Sequence, residues 1–403
     1  MSTSGGGEER WKAVLRQQKL ANAKHWLEKI QQTDNLEAFV TREYDNLLRA
    51  LEMTLREVDA FPLAFELIQK LYTIAIDYTD WERWTVYLNQ ALTQSKSLGR
   101  LSESARLLEH LSDIAFLSGK WDEAEALYLE SCRVYKDLGE MAKYANTLTR
   151  LAATYVEKGE VTKAIATCHQ AIQIGESTDS LLVIAHAKLS LSYIYGKIQN
   201  FTLDLAAAQE ARALYAQLDM KEWADKTGLN IANSLRALGR LDEAEQLNLE
   251  LIKRFEASRN FRGLSMVKNN LGIIAFEQQD YLRAESVWQE ALRLYSQMEN
   301  PTSMAHIYNN LGKVYTALEE WQTAEEMLQQ AIQMHNSVDN LYSWANARDN
   351  LVDLYEAQGK MDAARQILQE TIARIDQANT HNLAHITEFK ETMQKRLDDL
   401  TSR

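Results

Sequence analysis

The apolar and polar positions of this chain repeat every forty residues from about residue 61 onward. One apolar position of the repeat is occupied in turn by Trp81, Trp121, Val161, Phe201, Leu241, Tyr281, Trp321 and Met361. Another, in the other half of each repeat, is occupied by Leu71, Leu111, Leu151, Leu191, Ile231, Leu271, Leu311 and Leu351. The register continues through eight repeats without an insertion or deletion. Such regularity is typical of a repeat protein in which each unit packs on its neighbours.

Each forty-residue repeat contains two amphipathic helices. In residues 301–338, Leu311, Val314 and Tyr315 follow the three-and-four spacing of one apolar helical stripe. A second stripe contains Trp321, Ala324, Met327, Leu328, Ala331 and Ile332. The short polar turn between such helices contains glycine in several repeats, at Gly119, Gly159, Gly239 and Gly359. Because glycine readily takes the left-handed conformation that ends a helix, the pattern predicts helix-turn-helix pairs.

Composition supports an all-α chain and narrows the range of partners. Only two prolines and fifteen glycines occur in 403 residues, too few for the turns of a β-rich fold. The net charge of −13 has the wrong sign for a nucleic-acid-binding protein. No apolar run is long enough to span a membrane, and the start, MSTSGGGEE, lacks a signal-peptide core. With Cys132 and Cys168 as the only cysteines, we predict a cytoplasmic protein with reduced thiols.

The pattern divides the chain into four parts. Residues 1–7 read as a disordered leader, and residues 8–60 as N-terminal capping helices that are out of phase with the repeats. Residues 61–378 form eight helix pairs, and residues 379–403 form a C-terminal capping helix. The apolar stripe of that last helix is Ile386, Phe389, Met393, Leu397 and Leu400. A repeat array needs a polar-backed helix at its end, which favours a cap over a partner-binding tail.

The repeat resembles the tetratricopeptide (TPR) family. The residues that carry the resemblance are Leu311-Gly312-Lys313-Val314-Tyr315 in a first helix, with Trp321, Ala324 and Ala331 in the second. The family's common period is 34 residues, whereas this period is forty, as in the TPR arrays of Rap-type peptide sensors and kinesin light chains. The resemblance implies a right-handed α-solenoid that binds proteins or peptides.

The segment Glu43–Glu52 (EYDNLLRALE) resembles the start of the TPR sensor half of STAND-class signalling ATPases. The ATPase itself is absent from the sequence, because no Gly-x-x-x-x-Gly-Lys-Ser/Thr motif occurs. The likeness implies a freestanding sensor or adaptor module. A helical cap that shields the first repeat explains the same segment, and the sequence leaves both interpretations open.

Asp204 occupies a repeat position where most other repeats have alanine. A carboxylate at a close helix crossing needs a hydrogen-bonding partner. The neighbouring small residue of the preceding helix is Ser192, so we predict an Asp204–Ser192 hydrogen bond or an outward turn of Asp204.

No constellation of residues indicates catalysis, a metal or a cofactor. His381 and His385 have the i, i+4 spacing of a metal pair, but the sequence places no further ligand beside them. Cys168 and His169 are adjacent on a helix and therefore point apart, which excludes a nucleophile–base pair. We predict a non-enzymatic protein without a cofactor.

The TPR resemblance places the first helix of each pair along a concave groove. There the asparagines Asn230, Asn270, Asn310 and Asn350 recur at one repeat position, and an amide can both donate to and accept from an extended peptide. The predicted binding residues are Asn230, Asn270, Asn310, Asn350, Asn269, Asn309, Asn233, Lys313, Arg150, His306, Asn346 and Lys226. Alternatively, asparagine is merely tolerated on a polar helix face. Because asparagine costs roughly 0.5 kcal/mol relative to alanine in a helix, its repeated use favours binding.

The sequence therefore favours an interaction scaffold or adaptor that holds a peptide or protein segment in the groove. One alternative is a ligand- or peptide-responsive sensor that regulates a partner enzyme or transcription factor. Another is a structural assembly factor that uses its convex face. Neither nucleic acid nor a membrane is an expected direct partner, and the sequence leaves the oligomeric state open.

Overall fold

A computed structural model describes residues 5–33, 36–76, 80–298, 300–337, 341–378 and 384–402. These residues form nineteen α-helices, one short 3-10 turn (Val58–Ala60) and no strand. The helices are α1 (Gly5–Gln32), α2 (Leu36–Leu55), α3 (Phe61–Ala75), α4 (Trp81–Ser97), α5 (Leu101–Leu117), α6 (Trp121–Asp137), α7 (Met141–Glu157), α8 (Val161–Ser177), α9 (Leu181–Lys197), α10 (Phe201–Gln217), α11 (Lys221–Ala237), α12 (Leu241–Ala257), α13 (Phe261–Glu277), α14 (Tyr281–Gln297), α15 (Pro301–Ala317), α16 (Trp321–Ser337), α17 (Leu341–Ala357), α18 (Met361–Gln377) and α19 (Ala384–Ser402). The predicted all-α solenoid class is confirmed.

The helices follow the sequence period closely. From α4 to α18 every helix has 17 residues, and each begins twenty residues after the one before it. The helix α1 begins at Gly5, so it includes three residues that the sequence placed in the leader. The chain divides into two compact units, Met1–Asp219 and Met220–Arg403, which are described separately.

Twelve of the described turns between α4 and α18 share one backbone geometry. In each of these twelve a residue with positive φ follows the preceding helix, as in Gly119 (φ 70°) and Gln279 (φ 62°). The amide of Gly119 donates to the carbonyl of Phe116, and the amide of Lys120 donates to the carbonyl of Ala115. This pair of bonds is a Schellman motif, which satisfies the last carbonyl groups of the helix.

Gln279 takes the same left-handed conformation without being glycine, and this predicts a stabilising substitution. A side chain in this conformation costs roughly 1 kcal/mol or more, so Gln279→Gly is expected to raise the free energy of unfolding by about 1 kcal/mol. The neighbouring Gln278 has an ordinary helical conformation (φ −77°) and provides the control. Gln278→Gly is expected to lower the free energy of unfolding, because glycine increases the conformational entropy of the unfolded chain and relieves no strain at this position. Denaturant unfolding of both variants gives the comparison, and a destabilised Gln279→Gly variant contradicts the prediction.

Within Met1–Asp219 two cores follow one another along the chain. The first joins α1–α5 through residues such as Leu47, Leu51, Phe61 and Trp84. Tyr44, in the segment that resembles the STAND sensor, accepts a hydrogen bond from Nε1 of Trp84 at 2.9 Å. The second core is made by the apolar faces of α5–α10.

The crossing of α9 and α10 contains the predicted Asp204 contact. Ser192 Oγ donates to Asp204 Oδ1 at 2.5 Å, and both residues are buried. The prediction of an Asp204–Ser192 hydrogen bond is therefore confirmed. The other oxygen, Oδ2, lies where a Cβ on Gly196 would be only 3.2 Å away, so the small residue makes room for the carboxylate.

Within Met220–Arg403 the paired helices approach closely at small residues. A Cβ added at Gly272 of α13 would lie 2.5 Å from Nε1 of Trp288 in α14, and one at Gly312 of α15 would lie 2.5 Å from Cγ of Leu328 in α16. The alanines Ala284 and Ala324 on the second helices are fully buried. The glycine that follows the buried Leu271 or Leu311 thus makes the space for a large core side chain of the partner helix.

The last helix, α19, packs on α17 and α18. Ile386, Met393 and Leu400 are buried, while Phe389 and Leu397 are half-buried against the same core. Arg396 of α19 forms ion pairs with Asp349 at 2.9 Å, Asp353 at 2.6 Å and Glu356 at 2.9 Å. These three acidic residues of α17 are therefore bound to α19. No helix in the described ranges is long and apolar enough to cross a bilayer.

Candidate functional site

The four asparagines predicted to form the binding site recur at one position in four first helices of Met220–Arg403. Asn230, Asn270, Asn310 and Asn350 are each the tenth residue of α11, α13, α15 and α17, and we call them the amide stripe. In this unit α11 packs on α13 and α15 packs on α17. The stripe therefore lies along a layer of first helices, with its amides on their polar side.

Two amides of the stripe are used by the fold itself. Nδ2 of Asn310 donates to Oδ1 of Asn269 at 3.2 Å, and Nδ2 of Asn350 donates to Oδ1 of Asn309 at 2.8 Å. Each bond joins one first helix to the next. Asn310 and Asn350 thus bind neighbouring helices through Nδ2, and the prediction that all four asparagines bind a ligand stays a prediction.

Asn269 and Asn309, predicted to lie beside the stripe, have structural contacts. Oδ1 of Asn269 also accepts a hydrogen bond from Nε1 of the buried Trp288 at 3.0 Å. Asn309 is buried and donates to Oδ1 of Asn346 at 3.4 Å. Because buried amides need such partners, these residues orient core side chains and adjacent helices. The sequence signal was the doubled asparagines at 269–270 and 309–310, which allow diagonal bonds between repeats.

Asn230, Asn233 and Asn270 differ from the other asparagines. Asn230 and Asn233 are exposed and Asn270 is half-buried. Among the residues that the structure describes, no hydrogen bond joins these three side-chain amides to the protein. Their donors and acceptors therefore face solvent on α11 and α13, where a ligand can reach them.

The predicted basic residues of this face have local aromatic partners. Nζ of Lys226 lies 2.8 Å from Glu222 and 5.9 Å from the ring of Trp223, which is 39% exposed. Nζ of Lys313 lies 5.1 Å from the ring of Phe276. Both lysines are exposed.

His306 lies against a second histidine. Its exposed ring is 4.8 Å from that of the buried His335, measured between centroids. Burial lowers the pKa of His335 to about 4 and also lowers the pKa of His306. Both rings are therefore neutral near pH 7, and His306 offers a ligand a neutral imidazole.

Arg150, the remaining predicted residue, lies in Met1–Asp219 and is held by the fold. Nη1 of Arg150 forms an ion pair with Asp113 at 2.5 Å, and Tyr128 donates a hydrogen bond to the same carboxylate. This carboxylate raises the pKa of Arg150. In the same unit His186 donates from Nδ1 to Oδ1 of Asn146 at 3.0 Å. Arg150 of α7 is therefore ion-paired with Asp113 of α5, a contact that the sequence did not reveal.

The described residues do not form the nucleophile or metal sites that were considered from the sequence. Cys132 and Cys168 are buried free thiols, and burial raises the pKa of each to about 12. No three His, Cys, Asp or Glu side chains among the described residues are grouped to hold a metal. His381 and the side chain of His385 lie outside the described residues.

Family models match the region that contains the stripe. Tetratricopeptide-repeat models match residues 263–337 and 303–377, and a further tetratricopeptide-repeat model matches residues 227–258. Repeats of this family are typically non-catalytic modules for protein interaction. No curated protein matches the sequence.

Solved structures share the fold at low sequence identity. A Signal Transduction ATPase with Numerous Domains protein with a tetratricopeptide repeat sensor, from Pyrococcus horikoshii, is 15% identical with a TM-score of 0.58. That match covers 93% of this chain and 56% of the other, so this chain spans little more than half of that protein. Aspartyl phosphate phosphatase F from Bacillus subtilis is 11% identical with a TM-score of 0.55, covering 92% and 94% of the two chains.

A third structure, a Rap protein complexed with Competence and Sporulation Factor, is 14% identical. Its TM-score is 0.46, and the match covers 79% of this chain and 99% of that one. At 15% and 11% identity the first two structures establish a common fold only. The chain carries tetratricopeptide repeats over residues 227–258 and 263–377, because the family models match there and the same residues form paired helices with a forty-residue period.

Proposed function

We propose that this chain is an interaction scaffold that binds a peptide, or an extended segment of a protein, along the first helices of Met220–Arg403. The observation that carries the proposal is the set of three unpaired amides, Asn230, Asn233 and Asn270, on the adjoining helices α11 and α13. An amide can donate to and accept from a peptide backbone whatever the peptide's side chains are. Repeat solenoids commonly use such extended surfaces for binding.

The residues around these amides extend the proposed site. Lys226 on α11 and His306 and Lys313 on α15 supply further exposed polar groups. The Oδ1 atoms of Asn310 and Asn350 accept no hydrogen bond from the described residues, so they add acceptors while their Nδ2 groups bind the next helix. Asn269, Asn309 and Asn346 support the site by orienting it. The proposal includes no catalytic step, cofactor, nucleic acid or membrane contact.

The remaining parts of the chain receive supporting roles in this proposal. We propose that the helices within residues 8–60 cap the first repeat of Met1–Asp219 and that α19 caps the last repeat of Met220–Arg403. The buried free thiols Cys132 and Cys168 fit a reducing compartment, for which we propose the cytoplasm.

The test is affinity capture from the native cell with the full chain. In the double variant Asn230→Ala/Asn270→Ala we expect at least a tenfold loss of the captured partner, because two backbone-binding amides are removed. Neither side-chain amide has a hydrogen-bonding partner among the described residues, so the circular dichroism spectrum and the unfolding midpoint are expected to stay at wild-type values.

A matched control uses exposed amides on second helices. Gln246 of α12 and Gln330 of α16 are exposed, and Gln246→Ala/Gln330→Ala removes the same chemistry from the other layer of helices. We expect the control to capture the partner as wild type does. A photo-crosslinking residue at Asn233 is expected to label the partner, while the same residue at Gln246 is not. Equal capture by the folded Asn230→Ala/Asn270→Ala variant rejects this site and favours assembly through the second helices.

A second candidate is a sensor whose helices rearrange when a ligand binds. It is favoured by the bonds from Asn310 to Asn269 and from Asn350 to Asn309, since a ligand that takes these donors releases one first helix from the next. A protein with a tetratricopeptide repeat sensor also shares the fold. Small-angle neutron scattering with a contrast-matched partner decides between the two, because the radius of gyration of this chain itself changes only if it is a sensor.

A further inference from the structure

A cavity of about 430 Å³ lies between α16, α17 and α18, and its floor and walls are largely apolar. Trp344 and Leu351 of α17 form the floor, with Ile332 of α16 and Ile367 of α18 on either side. Arg348 and Arg374 lie at its edge. The volume falls in the range that is usual for ligand sites, and apolar walls with a few convergent polar groups are their usual composition.

This cavity is separate from the proposed peptide site. Of its lining residues on α17, Trp344 is two positions before Asn346, Arg348 is two positions before Asn350, and Leu351 is two positions before Asp353. Two positions correspond to about 200° around a helix. Asn350, the member of the amide stripe on α17, lies about 100° from Leu351 and about 200° from Arg348 around the helix, so the cavity and the stripe occupy different faces of α17.

Arg374 lines the cavity and has no carboxylate partner among the described residues. Its guanidinium carbon lies 4.0 Å from the centre of the Trp344 ring, and Nη2 donates to Oδ1 of Asn336 at 2.6 Å. In the described ranges no carboxylate forms an ion pair with Arg374. Arg348 differs, since its Nη2 contacts Glu370 at 2.6 Å and its Nε donates to Thr371 at 2.7 Å. One cation at the edge is thus neutralised and the other is not.

The equivalent arginine three repeats earlier has the partners that Arg374 lacks. Arg254 of α12 forms ion pairs with Asp225 at 3.0 Å and with Glu250 at 2.5 Å. The counterpart of Asp225 is the buried Ala345, and the counterpart of Glu250 is Glu370, which binds Arg348.

The same comparison explains the aromatic floor of the cavity. Ala224 of α11 corresponds to Trp344 of α17. At this position α17 has an aromatic residue where α11 has a small one, and Arg374 lies over its ring. Arg374 thus has a cation–π contact where Arg254 has a carboxylate.

We propose that this cavity is a second recognition site, which takes an apolar side chain of a partner peptide while a neighbouring carboxylate of that peptide binds Arg374. A guanidinium has five N–H donors in a planar fork that suits a carboxylate, and Arg374 uses one donor in the described structure. The chain carries 57 acidic and 44 basic residues, so an acidic peptide is repelled by most of the surface and selected where a cation is unpaired.

The experiment uses the full chain and two labelled peptides with blocked termini. One has a single phenylalanine between two glutamates, and its twin has glutamines in place of the glutamates. Fluorescence anisotropy on wild type is expected to show about tenfold tighter binding of the glutamate peptide. In Arg374→Gln this preference is expected to fall below about twofold, and in Arg374→Lys it is expected to be intermediate, since lysine keeps the charge without the fork.

Two controls separate the site from general charge and from the amide stripe. Arg293→Gln removes an exposed arginine of α14 and is expected to keep the tenfold preference. Asn230→Ala/Asn270→Ala is also expected to keep it, because those amides are on other helices. Trp344→Leu, with its fold checked by circular dichroism, is expected to bind both peptides more weakly.

The outcomes are decisive in each direction. Wild-type protein that binds neither peptide, or binds both equally, overturns the proposal. Full preference in Arg374→Gln overturns it as well. If the preference for the glutamate peptide is lost in Asn230→Ala/Asn270→Ala but kept in Arg374→Gln, the peptide binds at the amide stripe and the cavity does not have the proposed role.

Discussion

Placing valine at Gly272 is expected to lower the free energy of unfolding by about 3 kcal/mol, because there is no room for its side chain. A Cβ at this position would lie 2.5 Å from Nε1 and 2.6 Å from Cε2 of Trp288, a ring that is 2% exposed. Trp288 is large and tightly packed, so it must move as a whole. The move also breaks its hydrogen bond to Asn269, which in turn accepts from Asn310.

Hydrogen exchange locates the effect and denaturant unfolding measures it. In repeat arrays each unit contacts its neighbours, so the amides of α13 and α14 are expected to lose protection first. Ala373→Val adds a similar side chain at an exposed helical position and is expected to change stability by less than about 1 kcal/mol. Wild-type stability in Gly272→Val would show that the two helices can separate without loss.

Removing the Ser192 hydroxyl is expected to cost about 2 kcal/mol, whereas removing it together with the Asp204 carboxylate is expected to cost far less. In Ser192→Ala the buried carboxylate loses a donor at 2.5 Å and retains its desolvation penalty. The double variant Ser192→Ala/Asp204→Ala leaves no buried charge at this crossing. Alanine occupies the Asp204 position in most other repeats, where Ala124, Ala164, Ala244, Ala284 and Ala324 are fully buried.

A double-mutant cycle by denaturant unfolding measures this coupling. We expect the two single losses to exceed the loss of the double variant by more than about 1 kcal/mol. Additive losses would mean that the hydroxyl and the carboxylate stabilise the crossing independently.

The helix pattern was predictable because it depends on short spacings along one chain. Leu311, Val314 and Tyr315 fall on one side of a helix whatever surrounds them, and the glycines at the turns mark helix ends by their conformation. The Asp204–Ser192 bond was also predictable, because the strict period aligned the two helices that contain it.

The candidate site was only partly predictable. Sequence placed twelve residues on a binding face, but it did not distinguish Asn230 and Asn270, which are unpaired, from Asn310 and Asn350, which bind the next helix. The same repeat position thus has two roles. The sequence also did not reveal the contact of Arg150, since its ion pair with Asp113 joins residues 37 positions apart.

The amino-acid sequence by itself determined the all-α repeat, its forty-residue period and the positions where helices end, because each follows from local spacing and backbone preference. The tertiary structure alone decided which polar groups are satisfied within the protein. Bonds such as Asn350 to Asn309 depend on the distance between consecutive first helices. The packing of α17 and α18 places Arg374 over the ring of Trp344, and it places Glu370 in an ion pair with Arg348. A partner can bind only donors and acceptors that the protein leaves free. The candidate site therefore depends on how the helices pack, whereas the fold follows from the repeated pattern of apolar residues.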